Sequence, residues 1–575
     1  MQTQRTILWV IFTMSLLFLW DAWQRHQGQP SLFGGAATTQ TAAPSGAATP
    51  PGTATPPASK ADASVPAASA PSVPTGAAPA AVPSGGAATA AQPPIRLKTD
   101  VLAIDVDPIG GEVQRAELLK FSDADNGAAN MLLFDEKAGH TYVAQTGLAS
   151  ATLPNHRTPF TVEPGERELA AGADTLVLKM SAEQGGARLV RTYTLKRGSY
   201  AIDVATEVTN LGGEPLRPTL YMQITRDSKP PQAVAGIASH FVPVGTFGPV
   251  FYTDAIKFKK VDFGAIDKKP TDEIAKDVKD GWAGVIQHYF VSAWVPQKDA
   301  VRTLETAKVD PDLYVARIRQ PLGEIAPNAS ATTSATLYVG PQDQKVLEAI
   351  APGLDLVVDY GWLTVIAKPI FELLQFLHGI VKNWGWAIVL LTLIVKFAFF
   401  PLQAASYRSM AKMKKVGPKL QQLKERYGDD RVKMNQAMME LYKTEKINPL
   451  GGCLPIVVQI PVFIALYYVL FASVELRGAP WLGWIKDLAS PDPLYILPLL
   501  MAISMFVQTK LNPTPPDPLQ AKMMMWMPLI FSVMFFFFPA GLVLYWLVNN
   551  LFSIAQQWGI TRRIEGKPLF GRAPA

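Results

Sequence analysis

Reactive and metal-binding side chains are scarce in this sequence of 575 residues. It contains one cysteine, Cys453, so it can form no disulfide within the chain and has no CxxC metal or redox motif. Its six histidines show neither HxH nor HExxH spacing. There is no GxxxxGK[ST] loop and no GxGxxG segment in a nucleotide-binding context. The sequence therefore predicts no metal site, no cofactor and no ATP-driven reaction.

Acidic residues and histidine are absent from five apolar runs in the last third of the chain: residues 384–402, 454–472, 494–511, 524–539 and 541–560. Each run is about long enough to cross a bilayer when its flanking residues are included. A proton-coupled carrier usually needs a titrating acid or histidine inside its spans. Their absence disfavours a secondary transporter, although a polytopic channel or transporter remains the alternative function.

The first of these runs, WGWAIVLLTLIVKFAFFPL, contains a lysine, Lys396, five residues before Pro401. An ammonium group at the centre of a span costs about 2.5–3.5 kcal/mol on insertion. Because Pro401 is near the end of the run, simple snorkelling of Lys396 to the interface is one explanation. Neutral polar residues in this and the other runs favour a second explanation, a hydrophilic substrate groove around the lysine. The predicted groove residues are Lys396, Thr392, Gln459, Ser504, Gln508, Asn549, Ser553 and Gln556.

Positive charge is concentrated between Pro401 and Cys453, where eleven basic and five acidic residues account for the net charge of +6. Because this segment joins two apolar runs, cytoplasmic retention explains the charge better than direct binding of nucleic acid. Apolar residues spaced by three and four predict an antiparallel helical hairpin over residues 403–450, kinked at Gly417-Pro418. Its lysines either only set topology or form a docking surface with two methionines. That surface would comprise Met410, Lys412, Met413, Lys414, Lys415 and Lys419.

The chain begins with an apolar run and continues with a low-complexity segment. Residues 1–23 include TILWVIFTMSLLFLW, and no small-x-small cleavage site follows closely, which favours an uncleaved transmembrane anchor over a signal peptide. Residues 24–94 are dominated by Ala, Pro, Gly, Ser and Thr. Such a composition buries too little apolar surface to fold, so a disordered linker is expected.

The hydrophobic period changes to two within residues 95–350. In SYAIDVATEVTN, Ile202, Val204 and Val208 fall on one face and Asp203 and Glu207 on the other. This alternation, interrupted by Gly, Pro and Asn turns, predicts an antiparallel β-sandwich. A carbohydrate-active enzyme is a weaker alternative, because no paired carboxylates or histidine cluster marks a site in this region.

Residues 351–383 are predicted to form a linker and an amphipathic helix from Ala367 to Asn383. Pro369 suits its first turn, and its apolar face suits a position in the membrane interface. Together with the N-terminal anchor, the five-helix core at residues 384–561 gives six spans. If both termini are cytoplasmic, the basic loop and the tail at residues 562–575 lie inside and the β-sandwich lies outside.

Several long motifs resemble the YidC/Oxa/Alb family of membrane protein insertases. SMAKMKKVGPKLQQLKERYGDD, INPLGGCLPIVVQIPVFIALYYVL and FPAGLVLYWLVNN are similar to its membrane core, and GWAGVIQHYFVSAWVPQ to its periplasmic β-sandwich. The resemblance covers nearly everything except the linker. Many members have arginine where this sequence has Lys396, so the charge is kept but bidentate pairing is lost.

The resemblance implies a membrane protein insertase and chaperone of the bacterial inner membrane, and not an enzyme. The implied partners are nascent inner-membrane proteins, the Sec translocon, the ribosome, the signal recognition particle receptor and anionic lipids. A client would place its polar flank in the groove around Lys396. Its apolar segment would supply most of the driving force by entering the lipid.

Overall fold

The fold was obtained as a computed structural model. It describes residues 93–123, 129–229, 247–358, 360, 363–427, 430–445, 454–512 and 518–564, all within one compact unit. The predicted N-terminal anchor, the linker as far as residue 92 and the tail after Ile564 lie outside the described residues.

Antiparallel strands dominate the first part of the described chain, and all of their pairings are antiparallel. The strands are β1 Ile95–Lys98, β2 Leu102–Val106, β3 Val113–Ser122, β4 Asn130–Lys137, β5 His140–Leu148, β6 Thr161–Val162, β7 Thr175–Gln184, β8 Ala187–Lys196, β9 Ala201–Asn210, β10 Thr219–Asp227, β11 Gly248–Thr253, β12 Lys257–Lys260, β13 Thr271–Val278, β14 Trp282–Gln287, β15 Phe290–Pro296, β16 Arg302–Asp310, β17 Leu313–Pro321 and β18 Ser330–Pro341. Two short helices accompany them, α1 Phe263–Lys268 and α2 Gln344–Ile350.

The strands form two nine-stranded sheets. The first has the order β1-β2-β3-β4-β5-β10-β17-β16-β13, and the second β12-β11-β14-β15-β18-β9-β8-β7-β6. One apolar core with side chains from both sheets lies between them. The predicted antiparallel β-sandwich is therefore confirmed.

The two-residue period of β9 shows why the sandwich forms. Ile202, Val204 and Val208 are at most 3% exposed, whereas Glu207 points to solvent. Burying an aliphatic side chain of this size contributes about 1.5–3 kcal/mol, so the alternation fixes which face of the strand meets the core.

Helices make up the second part of the described chain. They are α3 Thr364–Val381, α4 Trp384–Ala398, α5 Phe400–Lys415, α6 Gly417–Tyr427, α7 Arg431–Thr444, α8 Leu454–Ala472, α9 Ile496–Leu511, α10 Pro518–Met534 and α11 Ala540–Ile564. Helix α3 packs on α4 and α8, and α11 packs on α4, α5 and α9.

The described helices differ in how well they suit a membrane span. By length and hydropathy, α3 passes as a span on its own, and α4 and α5 pass together as a segment bent by 66°. Gln459–Ala472 of α8, Ile496–Leu511 and Met525–Met534 of α10 are shorter apolar helices. The total of six spans stays a prediction.

Helix α3 begins earlier than the sequence predicted, at Thr364. Pro369 consequently lies inside the helix and not in its first turn, which corrects that expectation. The hydrogen bond that Pro369 cannot donate would go to Val365, near the helix start, so its loss disturbs little of the helix. Because its composition also suits a span, the interfacial placement of α3 stays a prediction.

The run predicted as one span over residues 384–402 is broken. Helix α4 ends at Ala398, Phe399 leaves helical geometry, and Pro401 stands in the first turn of α5. Proline disfavours a helical residue before it and donates no backbone hydrogen bond, which accounts for the bend at this position. The bend turns the beginning of α5 back towards Lys396.

Two helices in the basic segment, α6 and α7, contact each other. A break at Val416, directly before Gly417-Pro418, separates α6 from α5. An ion pair of 2.6 Å joins Lys419 of α6 to Glu445 just after α7. The role of this segment as a cytoplasmic hairpin stays a prediction.

A second apolar core joins the sandwich to the helices. It includes Val250 and Trp282 of the second sheet, Phe371 of α3, Leu391 of α4 and Leu470 of α8. The sandwich is thus packed directly against the helical part of the chain.

Candidate functional site

Lys396 lies in the last turn of α4 and is 3% exposed. Its Nζ donates a hydrogen bond of 2.7 Å to Ser553 Oγ on α11 and one of 3.4 Å to Gln403 Oε1 on α5. Ser553 Oγ in turn donates to the Asn549 carbonyl over 2.8 Å. Within the described parts of the chain, no carboxylate forms an ion pair with Lys396. A buried cation is therefore held by neutral groups.

The hydrogen bonds continue from Gln403 to a fourth helix. Gln403 Nε2 donates to Gln459 Oε1 on α8 over 3.3 Å, and Gln459 Nε2 donates to the Tyr545 hydroxyl on α11 over 3.2 Å. We call Lys396, Ser553, Gln403, Gln459 and Tyr545 the lysine network. It ties together α4, α5, α8 and α11.

A second polar cluster lies between α9 and α11. Asn550 Nδ2 donates to Ser504 Oγ over 3.3 Å, and Ser504 Oγ donates to the Met501 carbonyl over 2.7 Å. Further along α11, Gln557 Nε2 donates to Asn512 Oδ1 over 3.0 Å. This side of α11 is therefore polar at several levels within an otherwise apolar bundle.

Some amide oxygens in this region have no protein partner. Within the described residues, Gln508 Oε1, Gln556 Oε1 and Gln557 Oε1 are buried and accept no hydrogen bond. A buried polar atom left without a partner costs about 1–3 kcal/mol. Water or a polar chain segment that donated hydrogen bonds to these oxygens would consequently be stabilised.

The structure brings together some of the predicted groove residues and separates others. Lys396, Ser553 and Gln459 share the lysine network, and Asn549 contributes to it through its carbonyl. Ser504 belongs to the second cluster. Gln556 lies near the α4–α5 bend, where its Nε2 donates to the Phe400 carbonyl over 3.3 Å.

Thr392 takes no part in the network, although it is buried. Its Oγ1 donates over 2.7 Å to the Ile388 carbonyl of the same helix, as a threonine inside a helix commonly does. Gln508 contributes one unpaired oxygen, and the hydrogen bonds of Lys396 within the described residues go to Ser553 and Gln403 instead.

Sequence reasoning missed Gln403, Tyr545, Asn550 and Gln557. Asn550 and Gln557 stand beside predicted residues in NNLFSIAQQ, so the density of polar side chains there was an available signal. Gln403 follows the apolar run, and only the α4–α5 bend brings it to Lys396. A tyrosine among apolar residues gives no comparable signal.

The predicted docking surface is largely open to solvent. Lys412, Lys414, Lys415 and Lys419 are exposed, whereas Met410 and Met413 are half-buried. Two of the lysines have partners within the chain, since Lys415 donates to the Ile564 carbonyl and Lys419 pairs with Glu445. Exposed contacts of this kind contribute at most about 1 kcal/mol each, so they would yield readily to a ligand.

Comparison with known proteins assigns both parts of the chain. The family described as 60Kd inner membrane protein matches residues 376–567, and the YidC periplasmic domain matches residues 94–373. The membrane protein insertase YidC of Cupriavidus necator is 53% identical over 99% of both chains. That of Bordetella pertussis is 54% identical over 98% of both chains. A crystal structure of an active YidC insertase with its first transmembrane domain resolved is 16% identical, covering 81% of this chain and 94% of its own, with a TM-score of 0.38.

These relatives define the class of the protein as a membrane protein insertase of the inner membrane that carries a periplasmic domain. Within that class, the chain belongs to the YidC family. The resemblance drawn from the sequence motifs is confirmed, and so is the insertase function that it implied.

Proposed function

We propose that the lysine network forms the floor of a hydrophilic groove that receives the polar flank of a client during insertion. The observation that carries this proposal is that buried Lys396 has neutral partners in Ser553 and Gln403. An acidic group brought by a client would supply a counter-ion for Lys396, and a neutral polar group would supply a hydrogen-bond acceptor. The unpaired amide oxygens of Gln508, Gln556 and Gln557 would bind donors on the same flank.

The electrostatic contribution of Lys396 is modest. A carboxylate held about 10 Å from Nζ gains roughly 1–2 kcal/mol at an effective dielectric constant of 20. Burial of an apolar segment in lipid supplies several kcal/mol more. The apolar segment therefore drives insertion, while Lys396 favours flanks that carry a negative charge. No step in this process breaks a covalent bond, so the activity is not enzymatic in the usual sense.

The topology that suits this role has six spans, both termini in the cytoplasm and the β-sandwich in the periplasm. It places the basic segment with Lys412, Lys414 and Lys419 on the cytoplasmic side, as the positive-inside rule favours. From there the docking surface would meet nascent chains, the ribosome, the signal recognition particle receptor or anionic headgroups. Cooperation with the Sec translocon belongs to the same proposal.

The test is insertion into liposomes that contain the purified protein. The client is a small single-span protein with an aspartate in its N-terminal flank, and a matched client carries asparagine there. We expect Lys396→Glu to slow insertion of the aspartate client at least about tenfold, the equivalent of 1.4 kcal/mol, because the reversal removes the attraction and adds a comparable repulsion. Lys396→Arg should retain most of the rate, because the charge is kept.

The asparagine client separates electrostatics from general damage. In Lys396→Glu, the insertion rate of the asparagine client should fall much less than that of the aspartate client. Equal rates for wild type and Lys396→Glu with the aspartate client would rule out the electrostatic role.

A further inference from the structure

In the loop between α8 and α9, residues 473–495, one arginine contacts the β-sandwich, in addition to the apolar residues Leu476, Ile485 and Leu488 of the second core. Arg477 Nη2 donates to the Ser122 carbonyl at the end of β3 over 2.6 Å. Its guanidinium carbon also lies 5.3 Å from the ring centre of Phe290 and 5.7 Å from that of Tyr289. Phe290 begins β15 and Tyr289 directly precedes it, so one side chain contacts a strand of each sheet. Cations within about 6 Å of an aromatic face are attracted by its quadrupole.

A histidine of the sandwich holds the end of α8 beside this arginine. His288 Nε2 lies 3.1 Å from the Phe471 carbonyl, and the two rings stack with centroids 4.4 Å apart. Phe471 is the second-last residue of α8, so its carbonyl has no partner inside the helix. Burial lowers the pKa of His288 to about 4, partly opposed by this hydrogen bond, with Arg477 lowering it slightly further. The ring is therefore neutral at pH 7 and can donate from Nε2.

The same loop is attached to the outer ends of two further helices. Asn383, the N-cap of α4, donates from Nδ2 to the carbonyls of Pro480 and Trp481. At the start of α11, Ala540 N donates to the Ser490 carbonyl and Gly541 N to the Leu488 carbonyl. The loop thus fixes the ends of α4 and α11 in addition to α8, from which it continues.

Those three helices carry four of the five members of the lysine network. Lys396 is on α4, Gln459 on α8, and Ser553 and Tyr545 on α11. The Lys396–Ser553 bond of 2.7 Å and the Gln459–Tyr545 bond of 3.2 Å depend on the relative positions of these helices. A shift of the loop would move the three helices relative to one another and so change both distances.

We propose that Arg477 and His288 are positioning residues, a clamp through which the β-sandwich holds the 473–495 loop and so sets the spacing of the three network helices. The clamp itself follows from the contacts between the sandwich and the loop. Its effect on clients rests on the proposed function of the lysine network. The periplasmic domain thereby acquires a role in the membrane reaction without touching the client.

The clamp is tested in the full-length protein with two spin labels, after Cys453→Ser. One label replaces exposed Val177 of β7 and the other exposed Leu499 of α9. We expect Arg477→Ala combined with His288→Ala to broaden the distance distribution at least about twofold. Amide hydrogen exchange in residues 473–495 should rise about tenfold, since a loop released from the sandwich opens more readily. Arg477→Lys keeps the charge over the rings and should give an intermediate result.

Arg197 provides a matched control. It also donates to backbone carbonyls, those of Ala170 and Ala173, but within the sandwich and away from the loop. Arg197→Ala should leave the distance distribution and loop exchange unchanged. If the double variant behaves like Arg197→Ala in both measurements, the clamp is overturned, whatever the outcome of the Lys396 experiment.

A second readout concerns the groove. With the clamp broken, the preference for the aspartate client over the asparagine client should fall about threefold, because the network helices are no longer held in register. If the distances broaden while that preference is unchanged, the clamp exists but transmission to the network is disproved. If Lys396→Glu has no effect either, the proposed groove fails and the clamp stands on the distance measurement alone.

Discussion

Two buried cations, Arg317 in the sandwich and Lys396 in the helical part, have partners of different kinds. In the sandwich, Arg317 Nη1 pairs with Glu305 over 3.0 Å and its Nε donates to Gln223 over 2.7 Å. Glu305 also pairs with Arg319 over 2.8 Å. In the helical part, Lys396 meets a hydroxyl and an amide. One cation is neutralised within the fold, and the other keeps its charge available.

A buried cation that is paired with a carboxylate and one that is bound by neutral groups have different consequences for the protein. A buried charge with a complete set of partners makes the fold specific. Removing one partner destabilises the protein, because the remaining charge is then buried without compensation. A buried charge that lacks a counter-ion costs stability. The sandwich also holds cations on neutral groups, since buried Arg191 and Arg302 donate to backbone carbonyls. Lys396 differs because it donates to side chains of two other helices inside an apolar bundle, and this position is the ground for proposing a ligand there. The absence of acids from the apolar runs is evident in the sequence, and it led to the hypothesis of a substrate groove before any geometry was known.

The largest effect is expected from breaking the paired cation. Arg317→Met should destabilise the sandwich by about 3 kcal/mol, because Glu305 and Gln223 each lose a buried partner. Pulse proteolysis of the full-length protein in urea would measure the change. Arg217→Met is the matched control, since its pair with Glu324 is exposed, and it should cost at most about 1 kcal/mol. Similar losses in both variants would contradict the structural role of Arg317.

A smaller effect is expected from protonating His288, which is neutral while the clamp is closed. Burial lowers its pKa to about 4 in the docked state, and an undocked ring open to solvent should return to the ordinary value of 6.5. The contribution of His288 to the free energy of docking between the sandwich and the end of α8 is therefore fully present above pH 6.5. It declines as the pH falls towards 4. Between pH 7.5 and pH 5 the loss should be about 2 kcal/mol.

The same two spin labels measure this dependence on pH. The distance distribution should broaden at pH 5, because the undocked ring of His288 is protonated there while the docked ring stays mostly neutral. His288→Phe keeps a ring against Phe471 but cannot be protonated, so its distribution should not change with pH. A wild-type distribution that is the same at both pH values would contradict the prediction.

The smallest effect is expected from removing the unpaired cation. Lys396→Met should stabilise the helical part by about 1 kcal/mol, because the cost of burying the ammonium exceeds the loss of its two hydrogen bonds. Thermal unfolding in detergent would measure it, with Lys396→Arg as the charged control. A loss of about 3 kcal/mol, as expected for Arg317→Met, would show that Lys396 is structural.

The parts of the fold that depend on the periodicity of apolar residues could be predicted from the sequence. Alternation in strands such as β9 indicated a sandwich, because each side chain meets the core or solvent according to its position. The order of strands was beyond reach, since neighbours such as β5 and β10 are far apart in sequence. In the site, polar residues inside apolar runs revealed Gln459 and Ser553. Gln403 was missed because its proximity to Lys396 depends on the bend at Phe399.

The clamp could not be predicted from the sequence for a related reason. Arg477 lies in a loop and His288 between two strands, and neither has a spacing that predicts a contact with the other region. Such pairs become visible only when the two regions are placed against each other.

The second apolar core has a consequence for how the protein is made. Val250 and Trp282 lie in the same core as Phe535 and Leu544, more than 250 residues further along the chain. During synthesis the sandwich is complete well before α11 exists, so the core that it shares with the helices is finished only when the last helix arrives. An insertase of this design must therefore assemble its own two halves in order, which makes its biogenesis a first instance of the task it performs for other chains.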